Sequence, residues 1–307
     1  MRYATLPTKS PSSTSPSSLT DPHIELKRIV VGFPLGGNMR PLLKTANAIA
    51  KEFGAELFVT HSISPTPTTL GMVGETLEAR TESLEATKKK IETILQREGV
   101  TVPFQVSVDV ESPSTLMQKA AMEHQADLVI VGSRGRHGFE QLMAGSVSQS
   151  IADRVSCPVL ILGPSFSPDQ NLFRTILLAT DLEKTGYRAA QYAGALAASR
   201  DCRLILMHVA REKPRSENRT REWVEDNTTE KLYRLLDRQV RCDCDHEAVI
   251  AYGDPAQEIL ATADNKLADL IVLGVDSESK LMSDHASWRT LTTIVRHARC
   301  PVLAVRS

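Results

Sequence analysis

Apolar residues along this chain fall into short runs separated by helical spacing, and the alternation predicts the elements. In the first half, β-rich runs near 28–33, 56–62, 104–109, 127–132 and 158–163 read as strands. Between them, Leu42, Ala46, Ile49 and Phe53 keep one helical face apolar, as do Leu84, Ile91 and Leu95, and then Val147, Ile151 and Val155. Asn38 is a candidate cap for the first helix, and Pro41 suits its first turn. The second half predicts strands near 174–180, 203–209, 246–251, 269–274 and 301–306. Its helices are expected near 185–200, 217–240, 254–267 and 285–299.

The two halves repeat one order of elements. KRIVVGF (27–33) is answered by RTILLAT (174–180), and ELFVTHS (56–62) by RLILMHV (203–209), with His61 and His208 at equivalent places. ADLVIVG (126–132) matches ADLIVLG (268–274), and each half closes on a Cys-Pro strand, CPVLIL (157–162) and CPVLAV (300–305). This is a tandem duplication. Strands that are almost continuous Val, Ile and Leu are buried on both faces, which calls for parallel sheets covered by helices. The expected fold class is α/β, with two tandem doubly wound domains, each a five-stranded parallel sheet flanked by helices. In such sheets the ligand crevice lies at the carboxyl ends of the strands. The expected division is a Ser/Thr/Pro-rich tail over 1–24, domain 1 over 25–163, a linker over 164–173 and domain 2 over 174–307.

Chemistry concentrates where the 127–132 strand ends. The chain there reads GSRGRHGFEQLMAGSVS (132–148), with glycines at 132 and 135 and, after nine intervening residues, Gly145-Ser146 at the start of the next helix. Bare backbone N–H groups at a helix start suit an anion. Arg134 and Arg136 lie inside the loop, so the segment reads as a phosphate cradle.

These residues resemble the universal stress protein family in its tandem form, over nearly all of residues 26–307. The motif G-x2-G-x9-G-[ST] is met by Gly132, Gly135, Gly145 and Ser146. Supporting marks are ADLVIVGSRGR, GSVSQSIADRVSCPVLIL and the His61 strand. The resemblance implies an adenine nucleotide alpha hydrolase-like fold with dimer-like packing of the two domains. For members keeping the motif it implies ATP, ADP or AMP, with or without Mg2+, held at the strand ends. Carried over, the phosphate and ribose positions are Gly132, Arg134, Gly135, Gly145, Ser146, Val147 and Ser148. The base and ribose side is Gly32, Phe33, Pro34 and Ser62. The expected partners are an adenine nucleotide and a protein, with the pairing of domains met inside the chain or extended to a homodimer.

The sequence departs from the family pattern in both halves. ATP-binding members place an Asp at the end of their first strand, where this chain has Pro34, which offers neither a side-chain acceptor nor an N–H. The second half keeps the acid as Asp181, but after Gly274 its loop reads VDSESKLMSDHASWR, without a glycine. Ser287 or Trp288 falls where Gly145 stands, and a side chain there obstructs backbone approach to phosphate. Asp276 and Glu278 repel an anion. Domain 1 is therefore the expected site, domain 2 a degenerate one, and Asp181 a helix cap or turn residue.

Composition trims the alternatives. A net charge of −1 offers no basic field for nucleic acid, and no apolar stretch approaches the roughly 18 residues of a membrane span. Five cysteines without a disulfide pattern fit a reducing cytoplasm. Cys242-Asp243-Cys244-Asp245-His246 lacks the second ligand pair of a zinc site, and His61 and His208 read as bonded rim histidines. Trp223, with Leu232, Leu235, Leu236 and Val240, reads as the apolar side of a long helix. No catalytic motif emerges, so no dedicated enzyme is expected, only slow incidental ATP hydrolysis near Arg134, Arg136 and His137. The competing expectation is a scaffold that binds no nucleotide.

Overall fold

The computed structural model describes residues 24–36, 39–63, 77–132, 151–152, 154–167, 173–200, 202–210, 218–238, 240, 244–275 and 286–306. Among these residues the strands are β1 (Arg28–Gly32), β2 (Glu56–Ser62), β3 (Phe104–Asp109), β4 (Leu128–Gly132), β5 (Val159–Leu162), β6 (Thr175–Ala179), β7 (Arg203–Ala210), β8 (His246–Tyr252), β9 (Leu270–Val275) and β10 (Val302–Arg306). The helices are α1 (Arg40–Phe53), α2 (Leu77–Arg97), α3 (Pro113–Glu123), α4 (Lys184–Arg200), α5 (Asn218–Arg234), α6 (Pro255–Lys266) and α7 (Ala286–His297).

All ten strands belong to one sheet, in the order β3-β2-β1-β4-β5-β10-β9-β6-β7-β8. Each half is parallel, as the Val/Ile/Leu runs require. The halves meet where β5 pairs antiparallel with β10, Leu160 opposite Leu303. The domain-like packing is thus a continuous sheet rather than two sheets laid together. Leu42, Ala46 and Ile49 of α1, Ile91 and Leu95 of α2, Ala193 of α4 and Leu232 of α5 cover one face. The other face is covered by Met117 of α3, Ile151, Val155, Ile259 of α6 and Ile294 of α7. Helices on both faces leave the strand ends as the exposed rims.

Two repeated sequence features explain local structure. In each ADL segment the Asp turns back onto the first strand of its half. Asp127 Oδ2 accepts the N–H groups of Lys27 and Arg28, both at 2.9 Å, and Asp269 accepts those of Arg174 (2.7 Å) and Thr175 (3.1 Å). Helix α3 starts at Ser112-Pro113 and α6 at Asp254-Pro255. In each, a side-chain oxygen accepts the N–H three residues on, and Pro fills a first-turn position whose N–H is not needed. Replacing Asp127 with Ala strands two backbone donors. Urea denaturation is expected to show a loss of about 2–3 kcal/mol.

Two expectations change. The 217–240 helix is shorter: α5 stops at Arg234, where bonds from Leu235 to Leu232 and from Leu236 to Tyr233 tighten the last turn. Trp223 is 66% exposed while Leu232, Leu235, Leu236 and Val240 are buried. Nine residues separate Trp223 from Leu232 (223 to 232), and at about 100° per residue that places them on opposite faces. Helix α1 is preceded by Met39 without a side-chain cap; Asn38 lies outside the described residues.

Candidate functional site

Strand order reverses between β1 and β4, and their carboxyl ends lie side by side, Gly32 opposite Val131 with Gly132 next. A reversal of this kind opens a crevice, because the crossovers leave on opposite faces of the sheet. Gly32, Phe33, Pro34, Ser62 and Gly132, drawn from three separate stretches of chain, are brought to this rim. The remaining loop positions, Arg134, Gly135, Gly145, Ser146, Val147 and Ser148, lie outside the described residues, as do Arg136 and His137.

Space at the rim is unequal. A Cβ built on Gly32 would meet Met117 Sδ at 3.2 Å, so packing against α3 accounts for that glycine. Among the described residues, a Cβ on Gly132 would meet only Leu42, at 3.9 Å, an ordinary contact. None of those residues therefore requires glycine at 132. The Phe33 ring is buried, and its N–H donates to Thr60 O at 2.8 Å. Beyond it, half-buried Pro34 leads to Gly36, whose φ of 131° is a conformation L side chains rarely adopt. The Ser62 hydroxyl donates to the Glu111 carbonyl at 2.6 Å, and the Glu111 carboxylate pairs with Lys119.

His61 holds the end of β1. Its Nδ1 lies 2.8 Å from Phe33 O, and His208 Nδ1 lies 2.9 Å from Thr180 O in the second half. A carbonyl can only accept, so Nδ1 carries the proton in each ring and Nε2 of the neutral ring is bare. Burial lowers the His61 pKa, against the bond to Phe33, which raises it. Both histidines extend the strand pairing by one side-chain bond, in keeping with a bonded rim role.

The second half closes the equivalent turn with its own groups. Glu183 N–H donates to Asp181 Oδ1 at 2.9 Å, and Leu182 N–H donates to Thr180 Oγ1 at 3.0 Å. Asp181 is therefore a turn residue leading into α4, as the sequence suggested. A Cβ on Gly186 would lie 2.2 Å from Thr180 Oγ1, so the start of α4 presses onto the strand end. Ser287 and Trp288 fall at the start of α7, while Asp276 and Glu278 lie outside the described residues.

The described cysteines are buried thiols. Cys157 and Cys300 stand before the prolines that open β5 and β10, and burial above all pushes them up, to about 11 and about 12. An unfolded thiol titrates near about 8.5. The stability these two groups contribute is thus complete below that pH and is lost as pH rises toward their folded values. At pH 7 iodoacetamide is expected to leave both unmodified in the native protein and to label both in urea, as read by mass spectrometry. Cys244 Sγ donates to Val240 O, and His246 Nδ1 lies 3.0 Å from Cys244 O. No group of three metal-capable side chains occurs among the described residues.

Sequence reasoning passed over Asp127, Asp269, Gly163 and Arg188. The two aspartates were visible in the repeated ADL segment. The importance of the other two arises only between halves and leaves no local signal.

Fold and rim together define a duplicated, doubly wound α/β protein with a topological switch point in each half. The universal stress protein family model matches residues 25–163 and again residues 172–306, and the chain belongs to that family. It is 31% identical over 137 residues to universal stress protein A homolog 2 of Coxiella burnetii, an alignment covering 44% of this chain and 92% of that one. A universal stress protein of Archaeoglobus fulgidus shares the fold with a TM-score of 0.65 at 19% identity, covering 93% of this chain and 98% of the other. A universal stress protein solved in complex with cAMP aligns with 44% of this chain and 98% of its own, at 19% identity and a TM-score of 0.35. That likeness is too slight to carry its ligand over.

Proposed function

We propose that this is a stress-response protein of the cytoplasm that binds ATP or another adenine nucleotide in its first domain and acts through conformation or a protein partner. The observation that carries the reading is Gly132 at the switch point: the described residues leave room for a side chain there, and the sequence has glycine and continues with the family's glycine motif. Backbone approach to a phosphate is a reason for glycine that packing does not supply. Phosphates would meet the amides from Gly132 to Ser148, and the base would meet Phe33, Pro34 and Ser62. Mg2+ would travel on the phosphates. Hydrolysis is slow and incidental. No helix among the described residues is long and apolar enough to cross a membrane.

A ligand biases a partner only through unequal affinity for two states. ATP is therefore expected to slow hydrogen exchange over residues 132–165, and an unchanged pattern at saturating ATP would exclude the switch. Pro34 favours the second reading, a scaffold independent of nucleotide, because it withholds the adenosine-facing carboxylate. Native purification followed by mass spectrometry of released small molecules separates the two. ATP, ADP or AMP in stoichiometric amount supports the first reading. Their absence, together with no ATP binding by calorimetry, supports the scaffold.

A further inference from the structure

We propose that the outer edge of β8 is an interaction surface whose occupant is the β8 of a second copy of this chain, paired antiparallel about a two-fold axis at Val249. The surface belongs to the second half and involves no residue of the proposed nucleotide site. Strands β3 and β8 end the sheet, and among the described residues no further strand pairs with either. The two edges differ. β3 gives Phe104, Val106 and Val108 to one core, while Gln105 and Ser107 on its other face are exposed. β8 gives Ala248 and Ile250 to that core and Val249 and Ala251 to the core on the opposite face. Its seven residues are nonetheless all only half-buried. Apolar character on both faces belongs to an interior strand, and a long apolar edge is a template for another strand.

Backbone phase sets what this edge offers. Leu204 N–H donates to Asp245 O at 2.8 Å and Gly253 N–H to Ala210 O at 3.1 Å, so the odd-numbered residues of β8 bond β7. The N–H and C=O groups of His246, Ala248, Ile250 and Tyr252 therefore point outward. A groove of about 650 Å³ runs along the edge between α5 and α6, lined by Ala248, Ile250 and Ala251 and by the carboxylates Glu225, Asp226 and Glu258. An added strand would lie there. Antiparallel pairing about Val249 sets Ala248 against the partner's Ile250 and His246 against the partner's Tyr252. Each outward N–H then meets an outward C=O, with side chains of like face beside one another.

Charge along the edge selects this occupant and direction. Acid gathers where β8 ends. Tyr252 Oη donates to Glu225 Oε1 at 3.0 Å, Asp226 follows on α5, and Glu258 of α6 lies against Gly253, where a Cβ would meet its Oε1 at 3.2 Å. Where β8 begins, cations balance the acids. Lys266 of α6 and Arg203 of β7 both pair with Glu247, Arg203 lies 3.9 Å from Asp245, and the His246 ring meets Tyr233 of α5 edge-on at 5.3 Å. A two-fold axis perpendicular to the sheet keeps α5 beside α5 and α6 beside α6. Glu225 and Asp226 then approach the partner's His246, and Glu258 approaches the partner's Lys266. A parallel copy would set acid against acid. Isologous pairing of this kind is self-complementary and closes as a dimer.

The test compares full-length wild type, A248P, E258K and the double variant E258K/K266E by sedimentation velocity across a concentration series. Amide hydrogen exchange and thermal unfolding are followed on the same samples. Wild type is expected to sediment as a dimer, with residues 246–252 exchanging more slowly in the dimer than after dilution to monomer. Proline at 248 removes an outward N–H and no bond to β7, so the fold is expected to survive. The loss counts twice across the two-fold axis, and A248P is expected to dimerise about thirtyfold more weakly, or worse. E258K, which sets Lys against the partner's Lys266, is expected to dimerise about tenfold more weakly, and E258K/K266E to recover most of that loss. Were A248P to fail to fold, the charge variants decide alone. A wild type that stays monomeric at every concentration overturns the proposal. So does a dimer that A248P and E258K form as readily as wild type, with no protection gained over 246–252, because the contact then lies elsewhere. None of these measurements involves nucleotide, so they stand whatever ATP binding shows.

Discussion

Gly132→Ala is expected to leave the fold intact and to weaken ATP binding about a hundredfold, with Gly145→Trp removing it altogether. The two effects separate because they have different causes. Among the described residues a Cβ at 132 meets only Leu42, at 3.9 Å, so none of them must yield. Strand glycine also costs conformational entropy, and Ala there is expected to be neutral or stabilising by about 0.4–1 kcal/mol. A bound phosphate would lie against the backbone of this rim, and a methyl group there pushes it off at least two charge-assisted bonds. Bonds to charged groups contribute about 1.5–3 kcal/mol each, which sets the scale of the loss. Calorimetry with ATP and urea denaturation of the same preparations read the two quantities independently. Unchanged affinity in both variants would remove the site from this rim. Pro34→Asp belongs to the same series: restoring a carboxylate acceptor is expected to tighten ATP binding about tenfold.

Gly163→Ala is expected to be the most destabilising single-methyl change in the described part of the chain. Gly163 follows β5 directly, and a Cβ there would lie 2.2 Å from Val295 O, a backbone atom near the end of α7 in the other half. Backbone cannot rotate away as a side-chain tip can, so β5 and α7 must separate. Overpacking of this kind costs about 3 kcal/mol or more. The strain falls at the joint, where Leu160 faces Leu303 across the antiparallel pair and Arg188 ties Ser156 to Arg306. Chemical denaturation is expected to resolve into two transitions, one per half, in place of a single cooperative one. A single transition at wild-type midpoint would show that the halves hold together by other means.

Much of this protein was legible because its signals are local. The strand runs near 56–62 and 104–109 coincide with β2 and β3: β2 is buried through its middle and reads as a continuous apolar run, while β3, at the sheet edge, shows instead as the alternation FQVSVD with Val106 buried. Asp181 was readable as a turn residue from its place before a helix. Trp223 was misplaced for an instructive reason: apolar character was counted without phase, and half a turn of helix separates it from Leu232. For the candidate site, the sequence named Gly32, Phe33, Pro34, Ser62 and Gly132 through the family pattern. The structure supplies what surrounds them: Met117 beneath Gly32, the His61 bond to Phe33 O, and the prior engagement of Ser62 with Glu111.

The amino-acid order alone determined the duplication, the parallel strands, the covering helices and the half in which the glycine loop survives, because hydrophobic period and glycine spacing are written residue by residue. Only the tertiary structure decided that the two sheets are one, with β5 antiparallel to β10, and that Gly163 and Arg188 sit at the seam. The reason is physical: the demands on those two residues come from Val295, Ser156 and Arg306, partners more than a hundred positions away or in the other half, and a distant backbone atom leaves no mark on the sequence around the residue it constrains.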